Sequence, residues 1–150
     1  MGFETVAIAR GAERADFAKQ LGAHHYIDST ADAEVAEALR ALGGAKVVLA
    51  TAGNADAAAA TVEGLRHRGE LVVIGADNSP LGISPFQLIM PGKVVREHPS
   101  GTAQDVRDTL AFSVLHGIRP IVETIPLDQA GEAYQRMLSG AARFRMALTP

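Results

Sequence analysis

The 150-residue chain predicts an α/β fold, a doubly wound (Rossmann-like) parallel sheet, and three observations carry that reading. Strand-like and helix-like patches alternate from end to end. The strand patches are continuous apolar runs, as strands covered on both faces require, and not the alternating pattern of a half-exposed sheet. Glycines and capping residues punctuate the patches at the pitch of a strand–helix–strand unit. At 15.7 kDa, with 47% hydrophobic and 21% charged residues, the chain has the make-up of one globular domain, which excludes disorder and fibrous folds.

The first strand is the run Thr5-Val6-Ala7-Ile8-Ala9. A helix over 13–21 follows, with Phe17, Ala18 and Leu21 on one face and Gly22 placed for a left-handed cap. Residues 24–27 form a short extended piece. Ser29 with Asp32 has capping-box spacing and opens a helix in which Val35, Leu39 and Leu42 recur before Gly43 and Gly44 stop it. Val47-Val48-Leu49-Ala50 is the third strand. An Ala-rich helix over 54–66 puts Ala58, Val62 and Leu65 on one face, and Leu71-Val72-Val73-Ile74-Gly75 is the clearest strand of all.

Prolines and glycines then punctuate 78–92, predicting a loop with one helical turn near 86–89; residues 93–96 are a further strand. Thr102 with Asp105 forms a second capping box, opening a helix through Val106, Leu110 and Val114 to Gly117. Residues 120–124 are extended. Asp128 caps a last helix whose Tyr134, Met137 and Leu138 read as core, Gly140 ends it, and 144–149 close as a strand.

Composition narrows the function. No apolar run approaches the roughly 18 residues of a membrane span. The N-terminal MGFETVAIARG lacks the basic region and long apolar stretch of a signal peptide, so a cytoplasmic protein is expected. Lys and Arg number 14 against 17 Asp and Glu, a net charge of -3 with the basic residues scattered, so no nucleic-acid footprint is expected. Cysteine is absent, which excludes disulfides, thiol nucleophiles and thiolate zinc sites. His24 and His25 sit beside Asp28, but neighbours on a strand point to opposite faces and do not share one ion. Ligands of doubly wound sheets bind at the carboxyl ends of the strands, here 10–14, 51–54, 75–78 and 97–102.

Read consecutively, VAIARGAERADFAKQLGAHHYIDS, VVLATAGNADAAAATVEGLRHRGELVVIGA, SPFQLIMPG, PSGTAQDVRDTLAFS and RPIVETIPLDQAGEAYQRMLSGAARFRMALT form an ordered series. Together they resemble the C-terminal half of zinc-dependent alcohol dehydrogenases of the medium-chain dehydrogenase/reductase superfamily. The resemblance implies a Rossmann-like sheet lacking its first strand and its glycine-rich GxGGxG turn, plus a C-terminal helix and strand. It implies one domain over 1–150, a truncated NAD(P)-binding domain whose segment from about 120 returns, in relatives, to the catalytic domain. The zinc ligands and catalytic residues of the family lie in a part that this sequence does not match, so no catalytic or metal residue is assigned here.

The resemblance also implies site residues. Arg10 and Arg14 follow the first strand, where the fold reads the adenosine ribose; an arginine there favours a 2′-phosphate, so the cofactor is NAD(P) with a leaning to NADP. The plain alternative is that both are solvated surface charges. Thr51 and Ala52 lie close to the dinucleotide in relatives, and Asn54 doubles as a helix cap. Gly75 and Ala76 match the place where the chain passes the nicotinamide ribose, although a glycine also simply lets the chain turn. Arg145, at the start of the last strand, matches an arginine that contacts cofactor phosphate, a role its fork suits, the plain alternative being a surface arginine on an edge strand. Glu97 and His98 depart from the family, where Gly and an aromatic are common.

Two functions follow. One is the cofactor-binding part of an NAD(P)-dependent alcohol dehydrogenase, inactive as an isolated chain. The other is a non-catalytic dimerisation or binding module. In the ordinary strand order the first strand lies between the Thr5 run and the Val47 run, so a sheet without it has two unpaired edges. Relatives also join subunits at the sheet edge near SPFQLIM, which makes a homodimer the expected assembly.

Overall fold

The computed structural model describes residues 2–31, 34–75, 77–99 and 101–150. The chain forms two compact units, Met1–Pro99 and Ser100–Pro150. In the first, β1 (Val6–Ala9), a 3-10 turn (Ala12–Arg14), α1 (Ala15–Gln20), β2 (His25–Asp28), α2 (Val35–Ala41) and β3 (Ala45–Ala50) follow in order. Next come α3 (Ala55–Ala60), a 3-10 turn (Val62–Gly64), β4 (Leu65–Val73), α4 (Pro85–Ile89) and β5 (Val94–Glu97).

All strand pairs are parallel. β1 pairs with β2, Val6 opposite His25 through Ala9 opposite Asp28, while β3, β4 and β5 form a separate sheet with β4 in the middle. The two sheets rest on one core. Ile27, Leu39, Val48, Val62, Leu65 and Leu71 are its buried members, and Val6, Ile8 and Val95 pack against it. Leu71 and Val62 are fully enclosed and Leu39 is 2% exposed, each such aliphatic side chain contributing about 1.5–3 kcal/mol by leaving water.

Gly64 shows how tight the packing is, since a Cβ on it would lie 2.7 Å from Leu39 Cδ1. Lys93 tucks in its apolar stem, with its side chain 5% exposed, and its Nζ donates to the Val62 carbonyl at 2.8 Å with the Glu63 carboxylate 3.7 Å away. On the sheet surface Glu70 pairs with Arg96.

Three sequence expectations are corrected in this unit. The helix expected over 54–66 stops at Ala60, because Val62–Gly64 tightens into a 3-10 turn and Leu65 already begins β4. Ala58, Val62 and Leu65 are nonetheless all buried, as their spacing required. β4 starts six residues earlier than the Leu71 run; its register shifts against β3, and Arg68 takes φ 55 before Gly69. Asp32 of the expected Ser29 box lies outside the described residues, and α2 opens at Val35 with Glu34 as its N-cap. By contrast, Asn54 caps α3 by accepting from the Ala57 amide at 2.8 Å.

The second unit holds α5 (Ala103–Leu115), β6 (Val122–Pro126), a 3-10 turn (Leu127–Gln129), α6 (Ala130–Leu138) and β7 (Arg145–Thr149). The Thr102–Asp105 capping box opens α5 as expected. Asp128 does not cap α6: it lies inside the 3-10 turn, and Gln129 is the N-cap. β6 and β7 are a parallel pair, Val122 opposite Arg145, and Ile125 and Ala133 are buried there. Glu123 joins the pieces, pairing with Arg136 and accepting from the Arg143 amide at 2.6 Å. Tyr134, Met137 and Leu138, expected as core, are exposed. A two-stranded pair is too narrow to cover the whole apolar stripe of α6, and it buries only the Ala133 side. Among the described residues no helix is long and apolar enough to cross a membrane.

Candidate functional site

The residues that the sequence singles out stand at strand ends. The loop after β1 is held most firmly. Gly11 takes φ 88, ψ 134, a region open essentially to glycine, and both of its backbone groups are engaged from β2. Its N–H donates to Asp28 Oδ1 at 2.8 Å, and its carbonyl accepts from the Tyr26 hydroxyl at 2.6 Å. Asp28 Oδ1 also accepts from the Thr30 amide at 2.9 Å and the Thr30 hydroxyl at 2.7 Å. These bonds hold the Asp28 carboxyl below its ordinary pKa, the Thr30 hydroxyl first, then the Thr30 and Gly11 amides. The Tyr26 phenol is pushed up, chiefly by burial and next by the nearby Asp28 charge.

The loop so fixed carries Arg10 and Arg14, both exposed, with Arg14 Nε 3.9 Å from Glu13 Oε1. Glu13 folds its carboxylate back over Gly11, where a Cβ would lie 2.2 Å from it. Two guanidinium groups and the Glu13 carboxylate therefore share one loop, and the Asp28 carboxylate is bonded to it from the end of β2. Sequence reasoning found the arginines and missed Tyr26, Asp28 and Glu13. The signal available was an acid ending the second strand, on the neighbour that any parallel partner of β1 must be.

In the other sheet, β3 and β4 end together. The amides of Ile74 and Gly75 both donate to the Ala50 carbonyl at 2.9 Å, and a Cβ on Gly75 would lie 2.3 Å from the Thr51 carbonyl oxygen. Gly75 is thus required by close backbone approach. Thr51, Ala52 and Gly75 are brought together; Ala76 lies outside the described residues. Beyond them, the His98 amide donates to the Val73 carbonyl at 3.0 Å, which places Glu97 at the carboxyl end of β5. Arg145 opens β7 in the second unit and is exposed.

The histidines are engaged separately. His24 Nδ1 accepts from the Thr5 amide at 3.1 Å, and His25 Nε2 meets Glu4 Oε1 at 2.7 Å. A shallow open depression of about 520 Å³ lies on that side, lined by Lys19, His24, His25, Tyr26 and Leu42 among others, and contains none of the predicted site residues.

Residues 1–114 match the family profile described as zinc-binding dehydrogenase. The chain belongs to that family. Alcohol dehydrogenase notN of an Aspergillus strain is 39% identical to it over 149 residues, and Alcohol dehydrogenase patD of Penicillium expansum is 36% identical over 148. Each match spans 99% of this chain and 43% of the relative, so this dehydrogenase-family chain covers less than half the length of the curated relatives it matches. The crystal structure of an alcohol dehydrogenase zinc-binding domain protein from Burkholderia ambifaria superimposes with a TM-score of 0.84 at 25% identity, over 97% of this chain and 42% of that one.

The donors present do not fit the zinc of the family name. The chain has no cysteine, and among the described residues no three His, Asp or Glu side chains cluster for a metal. Toward a dinucleotide the described residues offer strand-end loops and exposed guanidinium groups, whereas the tight approach at Gly75 is already taken up by the Thr51 backbone.

Proposed function

We propose that this chain is the cofactor-binding part of an NAD(P)-dependent alcohol dehydrogenase, the family reaction being hydride transfer between an alcohol or aldehyde and the nicotinamide. The observation that carries the reading is the Gly75–Thr51 contact, which joins the ends of two parallel strands where such sheets take their ligands. A nicotinamide cofactor supplies the hydride chemistry. The chain's own part is to bind and orient: Thr51, Ala52 and Gly75 border the dinucleotide, Arg10 and Arg14 engage a 2′-phosphate, and Arg145 engages the phosphates. Residues 1–150 act as one nucleotide-binding domain whose segment from about 120 returns to the remainder of the enzyme. The family's zinc ligands and catalytic residues lie in the part of the relatives that this chain does not match, and the isolated chain turns over no alcohol.

Calorimetric titration with NADPH and NADH tests this. Saturable binding with NADPH preferred is expected. Arg10→Ala and Arg14→Ala each weaken NADPH about tenfold or more, the worth of a charge-assisted hydrogen bond, and leave NADH nearly unchanged. A folded protein that binds neither nucleotide overturns the reading.

Among the described residues the outer edges of the strands pair with no further strand, which favours a second reading, that of a non-catalytic dimerisation or binding module.

A further inference from the structure

The loop after β1 is gripped by two side chains of β2. Tyr26 and Asp28 are two apart on that strand and so turn to the same face, opposite Ala7 and Ala9 in the register. Those two partners bring only methyl groups to the face. The Tyr26 ring therefore passes β1 unobstructed, and its hydroxyl donates to the Gly11 carbonyl at 2.6 Å. Asp28 Oδ1 accepts from the Gly11 amide at 2.8 Å and is braced by the Thr30 amide and hydroxyl.

Each bond fixes the backbone of a different arginine. The Gly11 amide shares one planar peptide group with the Arg10 carbonyl, so the bond to Asp28 sets the plane in which the chain leaves Arg10. The Gly11 carbonyl accepts from the Arg14 amide at 3.4 Å as well as from Tyr26, so the phenol and the Arg14 backbone meet on one oxygen. Between them Gly11 takes φ 88, a conformation that glycine permits and these two bonds hold. The side chains of Arg10 and Arg14 are exposed. An arginine on a loop fixed in this way loses less freedom on meeting an anion than one on a loose loop, which turns a bond made away from the ligand into affinity for it.

We propose that Tyr26 and Asp28 are positioning residues that set the preference for NADPH over NADH, Asp28 through Arg10 and Tyr26 through Arg14. The inference rests on the reading of Arg10 and Arg14 as the 2′-phosphate contacts and adds the pair that aims them. Neither Tyr26 nor Asp28 has to touch the nucleotide. Asp28 suits this part and not that of a phosphate contact, since it is itself an anion and its Oδ1 already accepts three hydrogen bonds. NADH lacks the 2′-phosphate, so the clamp matters little to its binding.

The test is calorimetric titration of the full chain with NADPH and NADH, with Tyr26→Phe and Asp28→Ala made singly and in arginine backgrounds. Tyr26→Phe is expected to weaken NADPH about threefold or more and Asp28→Ala about tenfold or more, each changing NADH by less than about twofold. Asp28→Asn, whose amide oxygen still accepts from Gly11, keeps NADPH within about threefold of the unsubstituted chain. Added to Arg14→Ala, Tyr26→Phe has no further effect, and added to Arg10→Ala, Asp28→Ala has none, because each acts through its own arginine. Tyr26→Phe removes a single oxygen and keeps the test decisive should Asp28→Ala not fold. Losses shared equally by the two nucleotides, or adding in full to those of the arginine variants, overturn the positioning role and leave cofactor binding standing. An unsubstituted chain that binds both nucleotides alike overturns the 2′-phosphate contacts and the clamp together. A folded chain that binds neither overturns the cofactor reading itself, and the clamp with it.

Discussion

At the scale of the residue, Gly11 and Asp28 decide the shape of the loop that bears Arg10 and Arg14. A Gly11→Ala change forces an alanine into a glycine-only region and drives its Cβ onto the Glu13 carboxylate, so a loss of about 1–3 kcal/mol is expected in denaturant unfolding. Asp28→Ala leaves the Gly11 amide without its acceptor, and exchange of that amide accelerates while the core amides of β4 hold. Because the folded carboxyl titrates below its ordinary value of 3.8, the stabilisation it gives is complete above that value and fades as pH falls through the lower folded pKa. An exchange–pH profile of Gly11 shows this as a protection lost only in strong acid, and Asp28→Ala abolishes the pH step. None of this was legible from a single letter. An aspartate ending a strand is common, and its meaning came from the parallel pairing that set it beside Gly11.

At the scale of the element, helical and strand periodicity located nearly every segment, and α5 with its Thr102 box was read almost to the residue. The errors came where two signals overlapped. The spacing of Ala58, Val62 and Leu65 is helical, and all three are buried, yet Leu65 belongs to β4 because the chain tightens through Val62–Gly64 and then extends. Periodicity reports which residues are inside, not which backbone carries them. The stripe on α6 fails differently, since an apolar face predicts burial only where a surface exists to receive it. Paired substitutions separate the cases. Leu39→Ala, at a site with no room to relax beside Gly64, costs about 2–5 kcal/mol, whereas Leu110→Ala on exposed α5 stays within about 0.5 kcal/mol. Equal effects in thermal unfolding would mean that α5 is covered in solution.

At the scale of the molecule, β5 is the outer strand of its sheet and exposes an edge distinct from those of β1 and β3. By the alternation that turns His98 toward β4, Val95 and Glu97 present their backbone groups outward. Shortly before β5 in the chain, α4 and its C-cap carry Phe86, Ile89 and Met90, each more than two-thirds exposed. An outward row of backbone groups, on a chain that also exposes three large apolar side chains, is the kind of feature that associates with its own copy about a two-fold axis, extending one sheet through both protomers. The expected assembly is a homodimer whose weight-average mass, followed by light scattering across a dilution series, falls toward the 15.7 kDa protomer only at low concentration. Val95→Pro removes an outward N–H, and Phe86→Asp places a charge in the apolar contact; each shifts the transition to at least about tenfold higher concentration, roughly 1.4 kcal/mol of association free energy. A species that stays at protomer mass at every concentration removes the dimer.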